Sequence, residues 1–254
     1  MVAVIVARVR ERAKEAAARL GLLPQARRFQ RLLGSRTTRR DLRDNEHLLL
    51  LLAFVLPADA NCIDVGANVG EILEEMVRVA PRGRHIAYEP LPDHAADLAK
   101  RFPDVDVREA ALSSSEGQTS FQYVRSRPAM SGLRKRDYPG DEQIEVITVR
   151  TERLDSALPD DYAPSLIKVD VEGAEQQVME GAIETIKRHQ PIVAFEHGRG
   201  AASHYGTGPS QIFELLCGEA GLRIFDLDGA GPYSEADLAR TFDDGTRWNF
   251  IAHR

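Results

Sequence analysis

The sequence predicts an α/β fold built on a seven-stranded, mostly parallel sheet, and three observations carry the prediction. From Asn61 onward, short apolar runs alternate with amphipathic stretches of helical period, as βα units do. The first of these runs, residues 62–65, passes directly into a glycine-containing loop and then a helix, the arrangement that binds ligands at the carboxyl edge of open α/β sheets. Acidic residues (Asp64, Glu89 and Glu109) stand at the ends of the first three runs.

The elements follow in order. Residues 1–20 space Ile5, Val9, Ala13, Ala16, Ala17 and Leu20 by three and four, an alanine-rich helical stripe ended by Gly21 and Pro24. A second basic helix is expected over residues 25–33, and a third, leucine-rich one over 42–56 before Pro57. Together these make a helical N-terminal cap, residues 1–56, preceding a domain over residues 57–254. Strands are expected at 62–65, 85–88, 105–110, 166–169, 192–195, 223–226 and 248–252. Helices are expected at 71–80, 92–101, 174–188 and 210–220. Two further alternating runs, 119–124 and 144–149, flank a polar segment at 125–143. They read as a hairpin-like insertion, residues 117–150, whose loop is placed to cover a site.

Composition bounds the class. The chain has 254 residues, 43% hydrophobic and 28% charged, ordinary for a soluble globular protein able to bury a core. Two cysteines are too few for a disulfide framework, and Cys62 lies in an apolar run, so a reducing, cytoplasmic setting is expected. The apolar run at residues 2–7 is too short to span a membrane and lacks the basic flank of a signal peptide. Residues 1–50 hold 12 Lys+Arg against 5 Asp+Glu, a net +7, which with −6 overall leaves −13 for the remainder. Such an arm suits solvent or the acidic body of its own chain, with peripheral contact to an anionic membrane as the alternative. The acidic body argues against a nucleic-acid partner.

The loop Asp64-Val65-Gly66-Ala67-Asn68-Val69-Gly70 is not a dinucleotide fingerprint, because Asn68 stands where the second glycine of G-x-G-x-x-G belongs. A carboxylate at Asp64 would repel a pyrophosphate, whereas it accepts hydrogen bonds from the ammonium of a cationic amino-acid cofactor. Glu89, 25 residues on at the end of the second strand, is placed to accept from both hydroxyls of a ribose. Glu109 and Ala110, closing the third strand, are placed beside an adenine.

With Tyr88-Glu89-Pro90-Leu91-Pro92, Ala110-Ala111-Leu112-Ser113, Ile167-Lys168-Val169-Asp170-Val171-Glu172-Gly173-Ala174-Glu175 and Phe195-Glu196-His197, that loop resembles the FkbM family of S-adenosylmethionine-dependent methyltransferases. The resemblance runs in order over residues 60–200 and leaves the arm and the tail after Gly221 weakly covered. It implies a class I methyltransferase fold, Rossmann-like, with the last strand antiparallel. It also implies S-adenosyl-L-methionine held by Asp64, Gly66, Asn68, Gly70 and Glu89, and methylation of a hydroxyl on a sugar, glycolipid or natural-product acceptor.

Methyl transfer to an alcohol needs an aligned acceptor and a proton acceptor, so polar side chains at the ends of the fourth and fifth strands are the catalytic candidates. Alternation turns Asp170 and Glu172 to one side, and Asp170 is the first choice to orient or deprotonate the acceptor; its plainer role is to bond the cofactor's amino group. Histidine is the commonest general base, so His197 is the candidate for that role, with His204 in a glycine-rich loop as a second. Glu172, Glu196 and, from the insertion, Ser131 and Arg134 are the acceptor-side candidates. Arg125, Arg127, Lys135 and Arg136 surround that segment and would suit an acidic sugar or phosphate. Lys168 is read as neutralising a neighbouring carboxylate. Asp170, Glu196, His197 and His204 lack the close spacing of metal ligands, so no metal is expected. Two other classes share the pattern: a nicotinamide-dependent oxidoreductase, which the missing glycine disfavours, and a binding module that docks through its basic arm.

Overall fold

The computed structural model describes residues 35–138 and 142–254. The two helices expected within residues 1–33 lie outside the described residues. The third starts earlier than its leucines suggest: α1 spans Arg36–Val55, and Ser35 caps it by accepting a hydrogen bond from the Thr38 amide.

β1 (Cys62–Val65) is followed by α2 (Glu71–Val79), β2 (His85–Tyr88), α3 (Pro92–Arg101) and β3 (Asp106–Arg108). The insertion comprises β4 (Ala111–Leu112), β5 (Gly117–Val124) and β6 (Ile144–Glu152), and α4 (Leu154–Ala157) leads back to β7 (Leu166–Val169). The chain continues through α5 (Glu175–Glu180), α6 (Ile183–His189), β8 (Ile192–Glu196), α7 (Arg199–Ala202) and α8 (Pro209–Phe213). It closes with β9 (Arg223–Asp226), α9 (Glu235–Asp244) and β10 (Asn249–His253).

Seven strands form one sheet in the order β3-β2-β1-β7-β8-β10-β9. β10 runs antiparallel to both β8 and β9, and the other neighbours pair in parallel, as expected for a class I methyltransferase sheet. The strand order reverses between β1 and β7, which opens a crevice beyond their carboxyl ends. β4, β5 and β6 make a separate three-stranded sheet in which β5 and β6 pair antiparallel along their length.

Period-two alternation divides the main sheet between two cores. Cys62, Leu166 and Ala194 face α1 and α2 and pack with Leu48, Leu52 and Met76. Ile63, Val65, Ile167, Val169, Val193 and Phe195 face the opposite layer and pack with Val178, Met179, Ile212 and Leu238. α1 therefore shares a core with the sheet, and residue 56 does not separate a cap from the rest of the described fold. The helix expected over residues 174–188 is broken at Gly181, where a Cβ would lie 2.1 Å from the Ser113 carbonyl oxygen. The one expected over 210–220 is α-helical through Phe213 and then widens to a π-helix over Glu214–Glu219. Among the described residues no helix is long and apolar enough to cross a membrane.

Candidate active site

The loop after β1 turns by alternating left-handed residues: Gly66 at φ 76°, Asn68 at 50° and Gly70 at 77°. Asparagine is one of the few residues with a side chain that accepts this conformation readily, which is why Asn68 can stand among glycines. Gly66 is also required by contact, since a Cβ there would lie 1.9 Å from the Asp170 carbonyl oxygen.

Three adjoining cavities lie along the carboxyl edge of the sheet. One of about 280 Å³ runs from Gly66 and Asn68 past Glu89, Leu91 and Ala110 to the insertion. A second, of about 100 Å³, lies between α1 and the loop, over Asp64, Lys168 and Asp170. The third, of about 550 Å³, is bounded by α1, Glu172, Glu196 and the segment from Phe242 to Trp248. Asp170 borders the first two, Glu172 the first and third, and Glu196 the second and third, so the ends of β7 and β8 form the junction of one continuous cleft.

Glu89 is 4% exposed, and its two oxygens accept from the amides of Asn68 (2.7 Å) and Leu91 (2.9 Å). Burial, opposed by these two bonds, pushes its pKa up to about 7. Each carboxylate oxygen can accept a second donor, and the cavity lies on that side, a donor-acceptor match for a ribose diol.

Asp64 takes a different place from the one expected. It is 0% exposed, and its Oδ1 lies 3.1 Å from Lys168 Nζ. Strand register explains the pair, because Asp64 and Lys168 are opposite one another in β1 and β7 and point to the same face. Lys168 Nζ also donates to the Gly66 carbonyl at 2.9 Å and lies 3.8 Å from Asp170 Oδ2. Burial alone would lower the Lys168 pKa, but Asp64, Asp170 and Glu89 hold it above its ordinary value. Asp64 and Lys168 thus form a buried strut beneath the loop, and the carboxylate open to the cleft is Asp170, whose side chain is 42% exposed.

His197 is corrected by the structure. It follows Phe195 by two residues and shares its face, so it points into the layer opposite α1 rather than into the cleft. It is 1% exposed, stacks on Phe242 with ring centroids 5.1 Å apart, and has Glu175 Oε2 3.9 Å from its Nδ1. The residue that alternation brings to the cleft is its neighbour Glu196. That half-buried carboxylate makes no hydrogen bond or ion pair among the described residues. Burial, then the charges of Asp170, Glu172, Glu175 and Asp41, raise its pKa well above the carboxylate range.

The remaining candidates divide. Ala110 is fully buried against the first cavity, but Glu109 is exposed and outside its walls, because β3 ends at Arg108 and the chain turns there. Glu172 leaves the extended run with φ 61°; its Oε2 pairs with Arg136 of the insertion at 2.7 Å, and burial raises its pKa to about 7 against that pairing. Ser131 borders the first cavity while its hydroxyl accepts from the Val124 amide at 3.0 Å, a turn-forming contact. Arg134 is exposed and outside the cavity walls; its backbone amide donates to the Tyr205 hydroxyl at 3.1 Å. His204 likewise lies outside the three cavities, and its neighbour Tyr205 meets the insertion. Sequence reasoning missed Asp41 and Trp248, whose indole Nε1 donates to Asp41 Oδ1 at 2.7 Å beside the third cavity. A lone tryptophan immediately before the last strand was the available signal.

A switch-point cleft with a left-handed glycine loop, a buried glutamate beside it at the end of the next strand and an antiparallel β10 is the arrangement of a class I methyltransferase. The family model described as the Methyltransferase FkbM domain matches residues 64–222, and the chain belongs to that family, whose methyl donor is S-adenosylmethionine. It is 27% identical over 181 residues to the hexuronic acid methyltransferase AglP of Haloferax volcanii, covering 70% of each chain. It is 37% identical over 83 residues to the AMB antimetabolite synthetase AmbE of Pseudomonas aeruginosa, a match that takes in 31% of this chain but spans only 4% of that protein's length. The crystal structure of methyltransferase FkbM from Methylobacillus flagellatus KT superposes with a TM-score of 0.50 at 16% identity, covering 78% of this chain and 45% of that one, a likeness of fold.

Proposed function

We propose that this chain transfers a methyl group from S-adenosylmethionine to a hydroxyl of a sugar, glycolipid or natural-product acceptor. The observation that carries the reading is Glu196, a carboxylate with no hydrogen bond or ion pair among the described residues, at the junction between the second cavity, over Asp170, and the large third cavity. Glu89 suits the ribose hydroxyls, Ala110 and Leu91 flank the base, and Asp170 suits the ammonium. The cofactor supplies an electrophilic methyl group. The chain must bind and align the acceptor and take its proton, and a carboxylate held above its usual range is a better base near neutrality than an ordinary one. The hexuronic acid methyltransferase supports a carbohydrate acceptor by likeness.

The test pairs binding with turnover. Glu89→Ala is expected to weaken calorimetric S-adenosylmethionine binding at least ~10-fold, the loss of about 1.4 kcal/mol or more expected for hydrogen bonds to a charged group. Glu196→Gln is expected to keep that affinity but lose transfer of labelled methyl to saccharides by about 10²-fold or more, with loss of the acidic limb of the kcat/KM profile. Wild-type turnover in Glu196→Gln would remove its role. Unchanged binding in Glu89→Ala would remove the cofactor assignment.

A further inference from the structure

The third cavity has a charge character opposite to the one the basic insertion suggests. The arginines near it are already matched to carboxylates. Arg136 pairs with Glu172 at 2.7 Å, Arg247 with Asp226 at 2.8 Å and Asp228 at 3.5 Å, and Arg199, at the rim, leans toward Asp243 at 3.6 Å. In the insertion, Arg125 pairs with Glu145 at 2.8 Å and Arg127 with Glu142. Arg134 and Lys135 are exposed and outside the cavity walls. On the acidic side, Glu196 has no cationic partner among the described residues, and Asp137 is exposed at the rim.

The effect of this imbalance registers on Glu196 itself, where, after burial, four surrounding carboxylates all act in the same direction. A carboxylate or phosphate brought into that space adds a like charge in a partly desolvated site, whereas an ammonium supplies the missing counter-charge. Trp248 and Phe242 form an aromatic part of the wall, and the bond from Trp248 to Asp41 fixes the indole. Aromatic faces suit the apolar face of a sugar ring and also attract cations.

We infer that the third cavity selects an amine-bearing polyol, such as an amino sugar or aminocyclitol, and discriminates against hexuronates and sugar phosphates. The inference rests on the methyltransferase reading and names the acceptor class of that same site. It departs from the hexuronic acid named for the Haloferax volcanii relative, which is similar over 70% of its length.

Trp248 is the sole tryptophan of the chain, so its fluorescence reports on this cavity directly. The full-length protein, saturated with S-adenosylhomocysteine at pH 7, is titrated with glucosamine, glucose and glucuronic acid, and S-adenosylhomocysteine affinity is measured calorimetrically on the same samples. Glucosamine is expected to perturb Trp248 emission at concentrations at least ~10-fold below glucuronic acid, with glucose between. Glu196→Gln should shrink the glucosamine-to-glucose preference about threefold or more, and the rim variant Asp137→Asn should shrink it less. Glucuronic acid binding as tightly as glucosamine, or no response of Trp248 to any of the three while S-adenosylhomocysteine still binds, overturns the acceptor class alone. Absence of S-adenosylhomocysteine binding overturns the methyltransferase reading, and this inference with it.

Discussion

Replacing Lys168 with methionine removes the only cation within ion-pair distance of Asp64 among the described residues, leaving a carboxylate of 0% exposure without a counter-ion. Methionine matches the length of the lysine stem, so the change isolates the charge and the bond from Nζ to the Gly66 carbonyl at 2.9 Å. Breaking a buried pair from one side costs about 3–5 kcal/mol, which in a chain of this size corresponds to a melting temperature lower by roughly 6–20 °C. The double variant Asp64→Asn/Lys168→Met removes the stranded charge as well, and should recover at least half of the loss. Differential scanning calorimetry at pH 7.5 reads both. A Lys168→Met protein melting within 2 °C of the parent, or a double variant less stable than Lys168→Met, would refute the strut beneath the loop.

Gly66→Ala combines a left-handed φ of 76° with a Cβ 1.9 Å from the Asp170 carbonyl oxygen, so the loop must part from β7. Strain alone costs about 1–2 kcal/mol, and calorimetry should also show at least a tenfold loss of S-adenosylmethionine affinity; parental affinity would show that the loop yields freely. Burial raises Glu89 and Glu172 to about 7 and Glu196 upward as well, so the folded state holds more protons than the unfolded chain between their ordinary range and neutrality. That contribution to stability is complete below the unfolded values and is lost as pH rises through the folded ones, so the cofactor-free protein should melt several degrees higher at pH 6 than at pH 8. A flat or rising profile over that interval would contradict the burial of these three acids.

Strands buried on both faces were the most legible part of the chain. Cys62–Val65, His85–Tyr88 and Leu166–Val169 match their apolar runs end to end, as does the edge strand Arg223–Asp226. The breaks were not legible, because Gly181, at the interruption, packs against the backbone of Ser113, more than sixty residues away in the chain. α9 went unread although Ser234 and Asp237 form its capping box, since few apolar residues mark its face. In the site, Glu89 was visible from its distance to the loop. His197 has the more familiar chemistry of a base, but counting alternation from Phe195 turns it away from the cleft and Glu196 toward it. Glu109 failed for a related reason: the end of β3 is a turn, and turns cancel the period-two argument. Asp41 was hidden by its setting in a basic arm, yet it reaches Trp248 across 207 positions, a pairing that only the packing of α1 on the sheet creates.

In the proposed enzyme the ends of β7 and β8 join the cofactor cavity to the acceptor cavity, with Glu196 between them. A crystal structure of the protein with S-adenosylhomocysteine tests it most directly. The ribose hydroxyls should lie on Glu89 and the ammonium on Asp170, and the sulfur should open toward the cavity shared by Glu196 and Trp248. A sulfur directed away from Glu196, toward the insertion and Ser131, would contradict it.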